Sequence, residues 1–326
     1  VSFVPERQQR YGQGWYNLQD PQENGGWGPL LDGSIKPVGI PDADGNYVMA
    51  PYSARGNDEI KKFYQTGTIL QNNLNISAGG ADGYVNLNLG NVRRDFILEG
   101  DELNRNTVVL TAGKKINKFT VGGTFTFTNQ RTKQANVNAA TSRSDYTLLT
   151  TLLQAASDVP IEEFKNRGLY GWNGYYQNPY WARENNRLEE TKNFINLGMN
   201  AGYEINKNIE IVYNGSVQMR NTNQVSYSNQ AISPADADGG FDSPSQFYQS
   251  TLGSTFYYGD LMANFNYDLS DALKLKFNVG QNVQYNYSKR ISQGGTNLEI
   301  PGLYNIANVL NPANPSTLDN RTIETR

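Results

Sequence analysis

The sequence predicts an all-β fold: part of a transmembrane antiparallel β-barrel with short periplasmic turns and long extracellular loops. Three observations predict it. Runs of residues alternate apolar and polar, tight turns join those runs in pairs, and long polar connections rich in aromatics separate the pairs.

In chain order, residues 1–11 read as a possible first strand and 12–66 as a long connection. Leu74, Ile76 and Ala78, then Val85, Leu87 and Leu89, flank a turn at Gly79-Gly-Ala-Asp-Gly83. After a connection over 90–106 come Val108, Leu110, Ala112 and Ile116. Asn117-Lys118 turns that run into Phe119, Val121, Gly123, Phe125 and Phe127, with Thr120, Gly122, Thr124, Thr126 and Thr128 between them. The longest connection covers 130–190. Ile195, Leu197, Met199, Ala201, Tyr203 and Ile205 follow, then Asn206-Lys-Asn208, then Ile209, Ile211, Tyr213, Gly215, Val217 and Met219. Beyond a connection over 221–255, Leu261, Ala263, Phe265, Tyr267 and Leu269 turn at Ser270-Asp-Ala272. Leu273, Leu275, Phe277, Val279, Val283, Tyr285 and Tyr287 complete the last pair, and 288 to the end reads as a further connection.

A soluble sandwich also alternates its faces, but nothing in it requires connections that are short at one end and long at the other. An outer-membrane barrel requires that asymmetry. A run of about eleven residues at roughly 3.3 Å each, tilted near 45°, covers an apolar band of about 25 Å. The apolar face then meets the lipid bilayer. Asn, Thr, Gln and Lys on the other face, such as Asn214, Gln218, Asn282 and Gln284, line a hydrated lumen. Counting 1–11 gives nine strands, with the sheet open at both ends.

The chain has no Cys and no His, which removes thiolate nucleophiles, the commonest general base and most zinc sites. No enzyme activity, cofactor or metal is expected. A net charge of -3 offers no basic stripe for phosphates, so nucleic acid is not an expected partner. The longest helix-like apolar stretch, 146–156, is about ten residues, half of what a spanning helix needs. The first residues lack the basic and apolar regions of a signal peptide, so preceding chain is expected.

Several segments, taken in order, resemble the SusC/RagA family of TonB-dependent transporters. They are Gln9-Arg-Tyr-Gly-Gln-Gly14 with Gly26-Trp-Gly-Pro-Leu-Leu-Asp-Gly33, Phe63-Tyr-Gln-Thr-Gly67 leading to Asn73-Leu-Asn-Ile-Ser-Ala-Gly-Gly80, Asn178-Pro-Tyr-Trp181, and Ile300-Pro-Gly-Leu-Tyr-Asn-Ile-Ala-Asn308. The resemblance implies a barrel of about 22 strands in a Bacteroidetes-type outer membrane. Residues 1–326 would be the first part of the barrel domain, with the plug domain and remaining strands outside this sequence. It also implies import of oligosaccharides or peptides, a SusD-like lipoprotein lid, and energy from the TonB complex acting through a more N-terminal region. The alternative is a barrel that does not transport and serves as an adhesin or as part of a secretion or assembly complex.

Candidate substrate contacts are the loop aromatics Trp15, Trp27, Tyr170, Trp172, Tyr175 and Tyr176, because aromatic faces stack on sugars and peptide side chains while their polar tips hydrogen-bond. Packing of the loops on themselves is the competing use of the same residues. Asp42-Ala-Asp-Gly-Asn46 and Asp236-Ala-Asp-Gly-Gly240 begin like calcium loops but lack the remaining ligands, and read as turns. Glu162-Glu163 and Glu189-Glu190 read as solvated loop charge. Thr147 to Ala155 reads as an amphipathic helix inside the longest connection.

Overall fold

The computed structural model describes residues 4–56, 58–136, 147–169, 172–233 and 240–325. Four short strands come first. β1 (Gly14–Trp15) pairs with β2 (Leu18–Gln19), and β3 (Ile35–Val38) pairs with β4 (Val48–Pro51). Eight long strands then form one antiparallel meander: β5 (Thr68–Gly80), β6 (Gly83–Asp95), β7 (Glu102–Ile116), β8 (Phe119–Ala135), β9 (Asn186–Asn206), β10 (Ile209–Ser228), β11 (Gln246–Ser270) and β12 (Leu273–Leu298). β13 (Val309–Pro312) and β14 (Ser316–Thr325) both lie along the outer edge of β12. They act as one ninth strand broken by a bulge, since 313–315 face only 293–294 between the pairs Gly295↔Pro312 and Ser292↔Ser316. The sheet does not close on itself within this chain.

The four expected turns are present as two-residue reversals, at 117–118 as expected and at 81–82, 207–208 and 271–272 tighter than expected. Asn117 takes the left-handed conformation, with φ at 54°, that such a tight reversal asks for. All four turns lie at one end of the sheet, and the connections 96–101, 136–185, 229–245 and 299–308 lie at the other.

Register places the apolar residues in continuous rows across the sheet. One row runs Ile76, Leu87, Leu110, Phe125, Leu197, Val217, Tyr257, Tyr285, Ile323. The neighbouring row on the opposite face runs Asn75, Asn88, Val109, Thr126, Asn196, Gln218, Phe256, Asn286, Thr322. Leu197, Met199, Leu261, Phe277 and Val279 are exposed, so no second sheet covers the apolar face. From Ile195 to Ile205 on β9 the face is unbroken, and ten residues at roughly 3.3 Å, tilted near 45°, span about 23 Å.

Toward the loop end the apolar face stops at a row of six asparagines on six consecutive strands: Asn72, Asn91, Asn106, Asn129, Asn193 and Asn221. Two of the links are bonded amide to amide, Asn91 to Asn106 at 2.7 Å and Asn129 to Asn193 at 2.7 Å. An amide ladder satisfies its own groups in the plane of the sheet, which suits the edge of an apolar layer.

Two expectations need correction. Residues 4–10 form no strand, and Tyr11 makes only an isolated bridge to Leu30. Pro5 cannot donate to a ladder and Glu6 to Arg10 carry no alternating apolar residues. The segment is held instead by its side chains, with Arg7 donating to the Ala155 carbonyl. The connections over 90–106, 130–190, 221–255 and beyond 288 are also shorter than expected, because the strands continue past the Asn row with polar residues on both faces. Glu189 and Glu190 therefore sit on β9 rather than in a loop. Glu189 pairs with Arg131 at 3.3 Å on one face and Glu190 with Lys192 at 2.6 Å on the other.

Candidate functional site

The long connections fold together into a cap with its own core. Residues 38–63 contribute Val38, Ile60 and Phe63, and 148–182 contribute Leu152, Phe164 and Trp172, all buried against one another. A smaller cluster of Ile40, Ala231 and Phe241 draws in the 229–245 connection. After the single-turn helix α1 (Asp58–Lys61), the expected helix is present as α2 (Leu148–Gln154). Thr147 caps it by accepting from the Thr150 amide at 3.2 Å, and its Leu148 and Leu152 face the cap core. A second helix, α3 (Pro179–Asn185), explains the Asn178-Pro-Tyr-Trp segment. Asn178 accepts from the Tyr180 amide and donates to the Phe164 carbonyl at 2.8 Å, Pro179 opens the first turn, and α3 runs directly into β9.

The glycine-rich segments near the N-terminus are packing devices. A Cβ on Gly12 would come within 2.4 Å of the Tyr52 ring, and one on Gly28 within 2.4 Å of the Gln13 carbonyl. The 299–308 connection closes on Asn308, which donates to the carbonyls of Ile300 and Leu303 at 2.8 and 2.7 Å. Tyr304 from the same loop stacks on Tyr227 with centroids 4.0 Å apart.

Asp158 is the polar centre of the cap. Its carboxylate accepts from the Gln13 amide at 2.8 Å, and its carbonyl accepts from Arg55 Nε at 2.9 Å. Burial pushes its carboxyl above the usual carboxylate range, with the Gln13 bond, Arg55 and Arg7 opposing. A raised folded-state value stabilises the cap as pH falls through it, and the gain is complete below the ordinary value of 3.8. The cap of the wild type should resist protease increasingly as pH drops from 7 toward 4, relative to Asp158→Asn, which has nothing to titrate there. Parallel pH curves for the two proteins would contradict this.

At the joint between cap and sheet, Arg187 pairs with Asp101 at 3.1 Å and donates to the Gly100 carbonyl at 2.7 Å, while Asp101 also accepts from the Ala135 amide at 2.7 Å. Asp42 uses its carboxylate on the Asp44 and Asn46 amides, as the turn reading expects. The 236–240 segment lies largely outside the described residues.

The candidate aromatics separate into two groups. Trp172 and Tyr176 are 2% and 1% exposed, so their faces pack inside the cap and no solute can stack on them. Trp172 meets Phe164 edge-on at 5.1 Å, and the Tyr176 hydroxyl binds Gln154 and Asn24. Tyr175 is partly buried, its hydroxyl donating to Glu23 at 2.9 Å. Tyr170 lies outside the described residues. Trp15 and Trp27 face solvent, at 41% and 57% exposed.

These two share one small β arrangement. The Trp27 amide donates to the Gly14 carbonyl at 2.9 Å, and the Trp15 indole donates to Glu23 at 2.6 Å. Between β1 and β2 the residues Tyr16 and Asn17 turn with φ of 50° and 64°, leaving Tyr16 93% exposed. Tyr16, Leu18 and Leu30 are also exposed; Tyr16 and Leu18 neighbour Trp15 in the chain, and Leu30 carries no local signal. A concavity of about 920 Å³ lies elsewhere, beside the turn at 81–82 and on the apolar face, and is no part of this site.

An open antiparallel sheet with an exposed apolar face, an opposite polar face and a folded cap at one end is the arrangement with which solved structures agree. Over 82% of its length the chain superposes on a chain of the RagAB peptide importer in its "closed-closed" state, with a TM-score of 0.62 and 14% identity. The "open-open" state matches with a TM-score of 0.60 at 13% identity over 81% of the chain, and a further RagAB peptide transporter structure with 0.59 at 13% over 82%. The fold is that of the corresponding part of those solved chains. The chain spans only 29% to 30% of the length of those solved chains. No family model and no curated protein matches the sequence. In a transmembrane barrel of this kind, apolar rows face lipid and polar rows face the lumen.

Proposed function

We propose that this chain is part of an outer-membrane importer of peptides or oligosaccharides, energised through TonB and served by a SusD-like surface lipoprotein. The observation that carries the reading is the polar wall. β5–β12 present Asn, Thr, Gln and Ser in register on one face, beneath a cap with its own core, on a fold shared with a peptide importer. Such a wall offers hydrogen bonds to a hydrated solute along most of its length. The ridge of Trp15, Tyr16 and Trp27 supplies aromatic faces on the cap, where a solute or the lipoprotein would first touch the protein.

The test is uptake by a strain lacking the gene, fed labelled peptide and oligosaccharide pools. Loss of at least one pool from the cells, with the same loss when TonB is removed, is the expected result. Uptake of every pool at the parental rate would sink the importer reading and leave the adhesin or assembly role.

A further inference from the structure

On the lumen face, four neighbouring strands bring three cations together. Arg105, Gln130, Lys192 and Thr222 form one cross-strand row on β7–β10, and Thr107, Thr128, Phe194 and Arg220 form the next. Arg105, Thr128, Gln130, Lys192, Phe194 and Arg220 line a concavity of about 350 Å³. The Arg220 guanidinium lies 5.7 Å from the centre of the Phe194 ring, which steadies it without neutralising it. Lys192 is paired with Glu190 at 2.6 Å. Among the described residues, neither Arg105 nor Arg220 enters an ion pair, so three cations share one carboxylate.

Like charges on adjacent strands repel, and a wall that only needed hydration would gain nothing from them. Two free guanidiniums flanked by a hydroxyl and an amide suit a planar anion, because each guanidinium offers paired donors to a carboxylate. The position matters as well. These rows lie at the level of the Asn row, at the loop-side edge of the apolar band and on the face opposite it. We propose that Arg105, Lys192 and Arg220 form a binding station for solutes that carry carboxylates, so that the importer favours acidic cargo. The proposal rests on the importer reading and narrows its substrate class.

The test measures equilibrium binding to the purified full-length protein, apart from uptake. The peptide arm compares Gly-Asp-Gly-Asp-Gly with Gly-Asn-Gly-Asn-Gly, and the glycan arm compares trigalacturonate with its methyl ester. The charged member of at least one pair should bind about tenfold more tightly at low salt, and the preference should fade as salt rises. The pair that shows the preference identifies the source of the carboxylate. In Arg105→Gln/Arg220→Gln the preference should vanish, with charged and neutral members binding alike, and Arg220→Lys, which keeps the charge but loses the paired donors, should keep only part of it. Equal binding of charged and neutral members by the wild type overturns the proposal, as does a preference that survives in the double variant. A double variant that changes only the protease resistance of the full-length protein, with the preference intact, would show that the two arginines serve another segment of the same protein, and also overturns it. Cells that take up neither probe, while the purified protein keeps its preference, would count against the importer reading and leave the site standing.

Discussion

Phe125→Arg should destabilise the inserted barrel by about 2 to 4 kcal/mol, whereas Thr124→Arg, one residue away, should be tolerated far better. Phe125 stands in the unbroken apolar row between Leu110 and Leu197, four residues below the Asn129 level and within the band expected to meet acyl chains. An arginine there must carry its charge into hydrocarbon or drag its backbone outward. Thr124 points to the polar face, where it makes one long contact to the Thr111 hydroxyl at 3.4 Å, and an arginine at that position keeps its water. Urea titration of the two variants folded into lipid vesicles separates the cases. Equal losses would mean that the two faces have been assigned wrongly.

Trp172→Ala should cost the cap about 3 to 5 kcal/mol while leaving the barrel inserted, because the indole fills the core between Phe164 and the neighbouring buried residues. The consequence to measure is proteolysis. The variant should be cut within 147–185 at protease levels the wild type survives, with the barrel core still resistant. Trp27→Ala removes an equally large side chain from an exposed position and should leave that protection within about 0.5 kcal/mol of the wild type. The contrast also bears on solute contact, since any uptake defect in Trp172→Ala would act through cap folding. A Trp172 variant as protease-resistant as Trp27→Ala would place the indole at the surface.

The strand pairs were legible because each spends its middle between lipid and water, and that contrast imposes a period of two on residues such as Phe119 to Thr128. Where the strands rise past Asn106, Asn129 and Asn193, both faces meet water and the period disappears. The stretch from Asn186 to Glu190 therefore read as loop although it is ladder. β13 and β14 were hidden for the same reason, with a bulge at 313–315 breaking what alternation they have. The cap was legible only in pieces. α2 shows its apolar stripe, but the core that receives Leu152 is assembled from residues about a hundred positions apart and has no local period. Aromatic type in a loop likewise carries no information about burial, so Trp172 and Tyr176 looked like Trp15 and Trp27. The cationic group on the lumen wall is invisible in sequence because Arg105, Lys192 and Arg220 meet only through the register of four strands.

The most direct test of the two-faced sheet uses the absence of cysteine from these 326 residues, with any cysteine elsewhere in the protein replaced by serine. Single cysteines introduced in turn from Thr191 to Ile205 on β9, each carrying a spin label in the full-length protein in lipid vesicles, report accessibility to oxygen and to a polar nickel complex. From Ile195 to Ile205 the odd positions should be accessible to oxygen and the even positions to nickel, with period two. At Thr191 and Asn193 the odd positions should lose their oxygen preference as the strand leaves the apolar layer. A profile with no period of two, or one with oxygen favoured at Asn196, Gly198 and Asn200, would contradict a barrel wall with lipid on one side and an aqueous lumen on the other.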